Sequence, residues 1–160
     1  MTGLQLTEGQ DYYTARFSAD ISNLKDVVDG ALAYFDRKFS QMDEDSRLEL
    51  KIILNELLIN AVKHGGRNDP GCMIETTAGM ISEDCACLIV EDCGEGYDAG
   101  SIQRIGQKIR QDGCIGDLDE ISETGRGILI VKSLCDGFTV NDKGNRVEII
   151  KKLRKPEKKA

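Results

Sequence analysis

The run Cys85-Ala86-Cys87-Leu88-Ile89-Val90-Glu91-Asp92 is the most apolar stretch of the chain, and it stops at Cys93-Gly94-Glu95-Gly96-Tyr97-Asp98. A short apolar run bounded by turn formers reads as a strand covered by its neighbours, so 85–92 is expected near the centre of a sheet. The glycines that follow cannot comfortably continue a strand. A preceding strand is expected near 72–80, separated from it by Ser82-Glu83-Asp84, and another over 11–17, where DYYTARF alternates crudely. FTV at 138–140 and RVEIIKKL at 146–153 read as a closing hairpin around Asn141-Asp142-Lys143-Gly144.

Helical spacing appears elsewhere. Leu24, Val27, Val28, Ala31, Leu32 and Phe35 predict a helix over 21–39, with Ser22 and Asn23 as cap candidates. A second helix is expected from Met42-Asp43-Glu44, with the apolar set Leu48, Leu50, Ile53, Leu54, Leu57, Leu58, Ala61 and Val62. It should end at His64-Gly65-Gly66, where glycine permits a left-handed cap. Residues 101–111 suggest a short helix. Residues 112–127, with four glycines and few apolar side chains, read as a mobile loop, and 127–136 as a third helix. Helices and strands are grouped rather than strictly alternating. That order predicts an α/β two-layer sandwich, a mixed, mostly antiparallel sheet packed against helices.

Charge limits the function classes. The net charge is −7, yet KKLRKPEKKA at the C-terminus holds six Lys or Arg against one Glu, leaving a balance of −12 over residues 1–150. An acidic body argues against nucleic acid as a direct partner, because phosphate binding needs local positive charge. No stretch approaches the roughly 18 consecutive apolar residues of a membrane span. The start, MTGLQLTEGQDYY, lacks a basic region followed by an apolar run, so no signal peptide and a cytoplasmic location are expected. The six cysteines at 72, 85, 87, 93, 114 and 135 form no CxxC pair and sit mostly in apolar or Gly-rich stretches. They read as reduced packing residues, with a metal or redox role as the alternative.

Three local patterns can carry chemistry. Glu56 and Asn60 are four apart on one helical face, beside the apolar Leu57, Leu58 and Ile59. A carboxylate there can accept a proton, and a carboxamide oxygen suits Mg²⁺ bridging phosphates, although polar pairs at this spacing are also ordinary on a solvated face. Asp92, at the end of the central strand, precedes glycines at 94 and 96 that let backbone approach a ligand, and its carboxylate can accept from an exocyclic amine such as that of adenine. A plain turn would look similar. Gly125-Arg126-Gly127, ahead of ILIVKSLCD, would expose helix N–H groups to an anion or serve only as a permissive hinge.

The order and spacing of these elements are more specific than any one of them. ELLIN and HGG, then a strand ending DCGEG, then TGRG at a helix, together resemble the GHKL ATPase superfamily of the Bergerat fold. That superfamily includes the ATPase domains of gyrase, histidine kinases and anti-sigma serine kinases. The resemblance covers about 10–153 and implies one domain over 1–153, an ATP lid over about 99–124 and a basic tail over 154–160. ELLINAVKHGG is most similar to the anti-sigma serine/threonine kinase branch. Membership of that branch implies ATP and Mg²⁺ as cofactors, and a STAS-domain anti-anti-sigma protein or a sigma factor as partner. It also implies homodimerisation. Residue by residue, it implies Asn60 as Mg²⁺ ligand, Glu56 as general base and Asp92 as reader of the adenine amine. Gly94, Gly96, Gly125 and Gly127 would let the loop fold over the phosphates, with Arg126 beside them or facing the partner. His64 falls where the family often has a polar residue, as a helix-end packing group or a nucleotide contact. The branch usually carries Gly-Thr-Thr in the closing hairpin, where this chain has Gly144-Asn145-Arg146. Asn145 would then substitute as the hydrogen-bond partner. A non-catalytic nucleotide-dependent binder and a detached histidine kinase ATPase domain are the other readings.

Overall fold

The computed structural model describes residues 5–8, 12–94 and 123–157. Six strands, β1 (Gln5–Glu8), β2 (Tyr12–Ser18), β3 (Met73–Met80), β4 (Cys85–Glu91), β5 (Gly137–Val140) and β6 (Arg146–Lys152), form one sheet in the order β1-β2-β3-β4-β6-β5. Every described pairing is antiparallel, so the parallel component of a mixed sheet does not occur among these residues. The run at 85–92 is an interior strand, between β3 and β6, as its apolarity predicts.

The pleat separates the two faces. Tyr13, Ala15 and Phe17 of β2, Ile74 and Ala78 of β3, Ala86, Leu88 and Val90 of β4, and Val147 and Ile149 of β6 are buried on one face. Against them pack α1 (Leu24–Lys38), through Val27, Val28, Ala31, Leu32 and Phe35, and α2 (Glu44–Asn60), through Leu50, Ile53, Leu54, Leu57 and Leu58. A third helix, α3 (Glu123–Leu134), lies on α2 and buries Ile128 and Val131. The result is the expected two-layer sandwich. Leu48 departs from the anticipated apolar set: it is 57% exposed, because the buried stripe of α2 begins at Leu50.

Helix starts follow local hydrogen bonding. Asp43 caps α2, its carboxylate accepting from Ser46 N–H at 2.7 Å. Ahead of α1, a 3₁₀ turn over Ile21–Asn23 is capped by Asp20, which accepts from Ser22 N–H and Ser22 Oγ, each at 2.9 Å. Asn23 occupies the N-cap position of α1 but makes no side-chain cap bond, and Asp20 supplies that bond one turn earlier. Asn23 is occupied elsewhere, its amide donating to Ser18 O at 3.1 Å.

One buried cation ties three elements together. Lys151 continues the inward alternation of β6 beyond Ile149, and its ammonium donates to Leu134 O at 2.6 Å and pairs with Glu49 of α2. Glu49 also accepts from Arg154 at 3.2 Å, and Arg154 N–H donates to Ser46 Oγ at 3.0 Å. The basic C-terminal segment thus begins docked on the start of α2, and Lys155 to Glu157 are exposed beyond it.

Candidate functional site

The site grows from the C-terminal end of α2. Its last residue, Asn60, is only 4% exposed, and its side-chain Nδ2 has no hydrogen-bond partner among the described residues. A buried amide without a partner is uncommon in a folded core and marks a place where something else completes the bonding. Glu56, one turn earlier, is half-buried. Gly127 of α3 closes on both: a Cβ there would stand 2.5 Å from Glu56 Oε2 and 3.5 Å from Asn60 Nδ2. The sequence pair and the third glycine motif therefore meet at one place.

Beyond Asn60 the helix does not stop. It widens into a π turn over Ala61–Gly65, in which Gly66 N–H donates to Ala61 O at 2.7 Å. Such turns recur at functional sites. The expected left-handed glycine cap is absent: Gly66 has φ −85°, and the positive φ values belong to Arg67 and Asn68. What Gly65 supplies is room. A Cβ there would overlap the Asp92 carboxylate, and a Cβ on Gly94 would overlap the Gly65 carbonyl. His64 is exposed on this turn.

Asp92 follows β4 and is 5% exposed. Its Oδ1 accepts from Gly94 N–H at 2.8 Å. Its backbone N–H donates to Asn145 O, and Asn145 Nδ2 donates to Asp92 O, both at 2.9 Å. Burial pushes the Asp92 carboxyl above the usual carboxylate range, against the opposing pull of the Gly94 N–H. Asn145 Oδ1 accepts from Asn141 Nδ2 at 2.9 Å, so both ends of the Asn145 amide are engaged in the hairpin and with Asp92. Arg146 stands across the sheet from this cluster's buried side, pairing with Glu91 at 3.5 Å and Glu148 at 3.9 Å.

Two expectations need correction. Gly125-Arg126-Gly127 does not precede the helix, because α3 begins at Glu123 and includes all three. Glycine costs a helix about 1 kcal/mol per position, and burying Ile128 and Val131 on α2 offsets it. The free N–H groups at this helix start belong to Glu123–Arg126. Arg126 is exposed and Gly127 buried. Secondly, the cysteines are not all reduced packing residues: Cys72 and Cys93 form a disulfide, with Cα atoms 5.7 Å apart. The β3–β4 pairing of Glu75 with Glu91, extended by two residues, brings Cys93 beside Met73 and hence Cys72. Only the register reveals it. Cys85, Cys87 and Cys135 are free. Gly96, Cys114 and nearly all of 99–124 lie outside the described residues.

The donor set can be tested against a metal and a nucleotide. No cluster of three or more His, Cys, Asp or Glu exists among the described residues, so no cage for a bare metal is present there. A Mg²⁺ bridging phosphates needs little more than one protein oxygen and keeps several waters, which the Asn60 carboxamide fits. A larger cavity of about 810 Å³, lined by residues including Phe39, Glu83 and Lys155, lies at the opposite end of the β3–β4 hairpin and holds none of these groups.

Comparison with known proteins bears on this arrangement. Residues 17–151 match the family described as histidine kinase-like ATPase domain. Anti-sigma F factor of Anoxybacillus flavithermus is 26% identical over 114 residues, covering 69% of this chain and 73% of that protein. Serine-protein kinase RsbW of Staphylococcus epidermidis is 25% identical over 153 residues, covering 92% and 91%. Among solved structures, the mycobacterial sensor histidine kinase MprB superposes with a TM-score of 0.51 at 18% identity, over 82% of this chain and 95% of that one, a likeness of fold. No described helix is long and apolar enough to cross a membrane.

Proposed function

The chain belongs to the histidine kinase-like ATPase domain family, and from that premise we propose that it is an ATP- and Mg²⁺-dependent protein serine/threonine kinase acting as a cytoplasmic anti-sigma or partner-switching regulator. The observation that carries the proposal is the buried Asn60, whose Nδ2 has no partner among the described residues, beside Glu56 and against Gly127, with the buried Asp92 against Gly65 beyond it. A pure scaffold has no need of an orphaned amide next to a half-buried carboxylate.

In this reading Asp92 accepts from the adenine amine, and Asn145 positions it by holding its backbone from both sides rather than by touching the base. Asn60 supplies the carboxamide oxygen for Mg²⁺, which neutralises phosphate charge when bound. Glu56 takes the proton of the attacking Ser or Thr hydroxyl. Gly94 and Gly96 give the base close backbone approach. Gly125 and Gly127 keep the start of α3 clear for the phosphates, and Arg126 reaches toward them or toward the partner. The lid over about 99–124 closes the site. The names of the relatives, an anti-sigma factor and a serine-protein kinase, support a sigma factor and a STAS-domain antagonist as partners. Homodimerisation belongs to the same proposal.

A non-catalytic nucleotide-dependent binder, suggested by Asn145-Arg146 in place of the usual Thr pair, is the other reading. The test is incubation with labelled ATP and a cognate STAS protein, alongside the Glu56→Gln variant. Loss of the base should lower transfer by about 10²- to 10⁴-fold while ATP still binds. Binding of ATP by the wild type with no transfer to any STAS protein defeats the kinase reading and leaves a nucleotide-dependent switch.

A further inference from the structure

The disulfide lies where the two walls of the nucleotide site meet. Cys72 ends the turn that follows the α2 π segment and receives its backbone bonds there: its N–H donates to Asp69 O at 2.9 Å and its carbonyl accepts from Ala19 N–H at 2.9 Å. Cys93 lies between Asp92 and Gly94. The bridge therefore fastens the wall that carries Asn60 and Gly65 to the wall that carries Asp92. It adds to the packing of Gly94 on Gly65 and of Gly65 on the Asp92 carboxylate. The two sulfurs differ in access. Cys72 is 4% exposed, whereas Cys93 is exposed and lines a cavity of about 240 Å³ together with Arg16, Met73 and Glu91.

We propose that Cys72–Cys93 is a redox-active disulfide whose state sets the affinity of the neighbouring nucleotide site, the oxidised form binding ATP more tightly. This rests on the nucleotide reading of Asp92 given above. With the bridge closed, the Asp92–Gly94 turn is already held in place when the base arrives. With it open, Asn145 still holds the Asp92 backbone, but nucleotide binding must order Cys93 and Gly94, and preorganisation of a loop is worth affinity for this reason. Reduction proceeds by thiol–disulfide exchange with an external dithiol. A thiolate of the reductant attacks the exposed Cys93 Sγ, the bond to Cys72 breaks, and Cys72 takes up a proton. The second thiol of the reductant then attacks the mixed disulfide and releases Cys93, which takes up the other proton. Two electrons pass from the dithiol, which becomes a disulfide, to the protein, which ends with two thiols.

Two measurements on the full chain test this. Peptide mapping after alkylation without reduction should find Cys72 and Cys93 peptides linked in protein treated with oxidised glutathione, and separate after dithiothreitol. Calorimetry with ATP and Mg²⁺ should then give affinity roughly 2- to 10-fold tighter for the oxidised protein, the range expected from ordering one loop side chain. Cys72→Ser and Cys93→Ser should each bind like the reduced wild type under both treatments, which also separates this pair from Cys85, Cys87, Cys114 and Cys135. Absence of the linked peptide overturns the proposal. So does equal affinity in the two states, or tighter binding on reduction, while leaving the nucleotide site intact. Failure to bind ATP in either state defeats the underlying nucleotide reading and the switch with it.

Discussion

Replacing Gly65 by alanine isolates the contact on which the proposed base recognition by Asp92 depends. Gly65 does not have a positive φ, so alanine fits the backbone of the π turn, and helix propensity alone favours the change by about 1 kcal/mol. The new methyl meets the Asp92 carboxylate. Asp92 cannot retreat as a unit, because its N–H and C=O are both bonded to Asn145 at 2.9 Å. Its side chain must turn instead, giving up the Gly94 N–H bond and the position from which it would accept from the base in the proposed reading. Overpacking of this kind costs about 1–3 kcal/mol, so the net loss of stability should be small, about 0–2 kcal/mol. The loss in nucleotide binding should be larger in effect. A hydrogen bond to a charged group contributes about 1.5–3 kcal/mol, which corresponds to ATP binding weakened about 10- to 100-fold. Chemical denaturation and calorimetry with ATP–Mg²⁺ measure the two quantities on the same sample. A Gly65→Ala protein that folds normally and binds ATP as tightly as the wild type would refute the argument, since the Asp92 carboxylate would then be dispensable for the base or free of Gly65.

Asp92→Asn should separate stability from binding. The raised native pKa means the folded state holds the Asp92 proton more tightly than the unfolded chain, so ionised Asp92 costs stability, increasingly as pH rises through that window. The amide variant should therefore resist denaturant better than wild type at neutral pH, with the advantage fading in acid, while ATP affinity falls. An Asn variant less stable than wild type at neutral pH contradicts this. Lys151→Met should destabilise by about 3 kcal/mol, near the lower end for breaking a buried pair, because Glu49 keeps Arg154. Burial pushes the Glu49 carboxyl up, but hydrogen bonds from Lys151 and Arg154 outweigh it and hold the group below the usual range. That stabilisation is present above the unfolded pKa of about 4 and is lost as pH falls through the native value. The difference between variant and wild type in denaturant midpoint should accordingly shrink in acid, and a pH-independent difference would exclude the ion pair as its source.

Much of this was legible in the sequence for a physical reason: strands and helices here obey their own periods. Tyr13, Ala15 and Phe17 alternate inward, Val27 to Phe35 follow the helical stripe, and the ends of β4 and the start of α2 fall within a residue or two of expectation. Glu56 and Asn60 were legible as a candidate pair because they sit one helical turn apart on an element whose register the apolar stripe already set. What was hidden depends on contacts between distant segments. Cys72 and Cys93 become neighbours only through the β3–β4 register. The π turn depends on Gly65 and Gly66 meeting Asp92 and Ala19, not on local propensity. Lys151 did leave a signal: it occupies an inward position after Val147 and Ile149, and a cation there demands a carboxylate, which Glu49 provides.

The groups gathered at the end of α2 are ones that stability alone would not place there. Asn60 is buried with no partner for its Nδ2 among the described residues, Asp92 is ionisable in a desolvated position, and Gly65, Gly94 and Gly127 leave out side chains where packing would otherwise fill space. Each is a cost in the free protein. The remainder of the fold offsets them at a distance, through the apolar layer between α1, α2 and the sheet and through the Lys151 contact that fixes the far end of α3. A bound nucleotide would satisfy the Asn60 amide and draw on the Asp92 acceptor together, so its binding energy is coupled to relief of both costs. Stability should therefore rise with ATP in proportion to its affinity, and the same substitutions that stabilise the free protein at Asp92 should remove that rise.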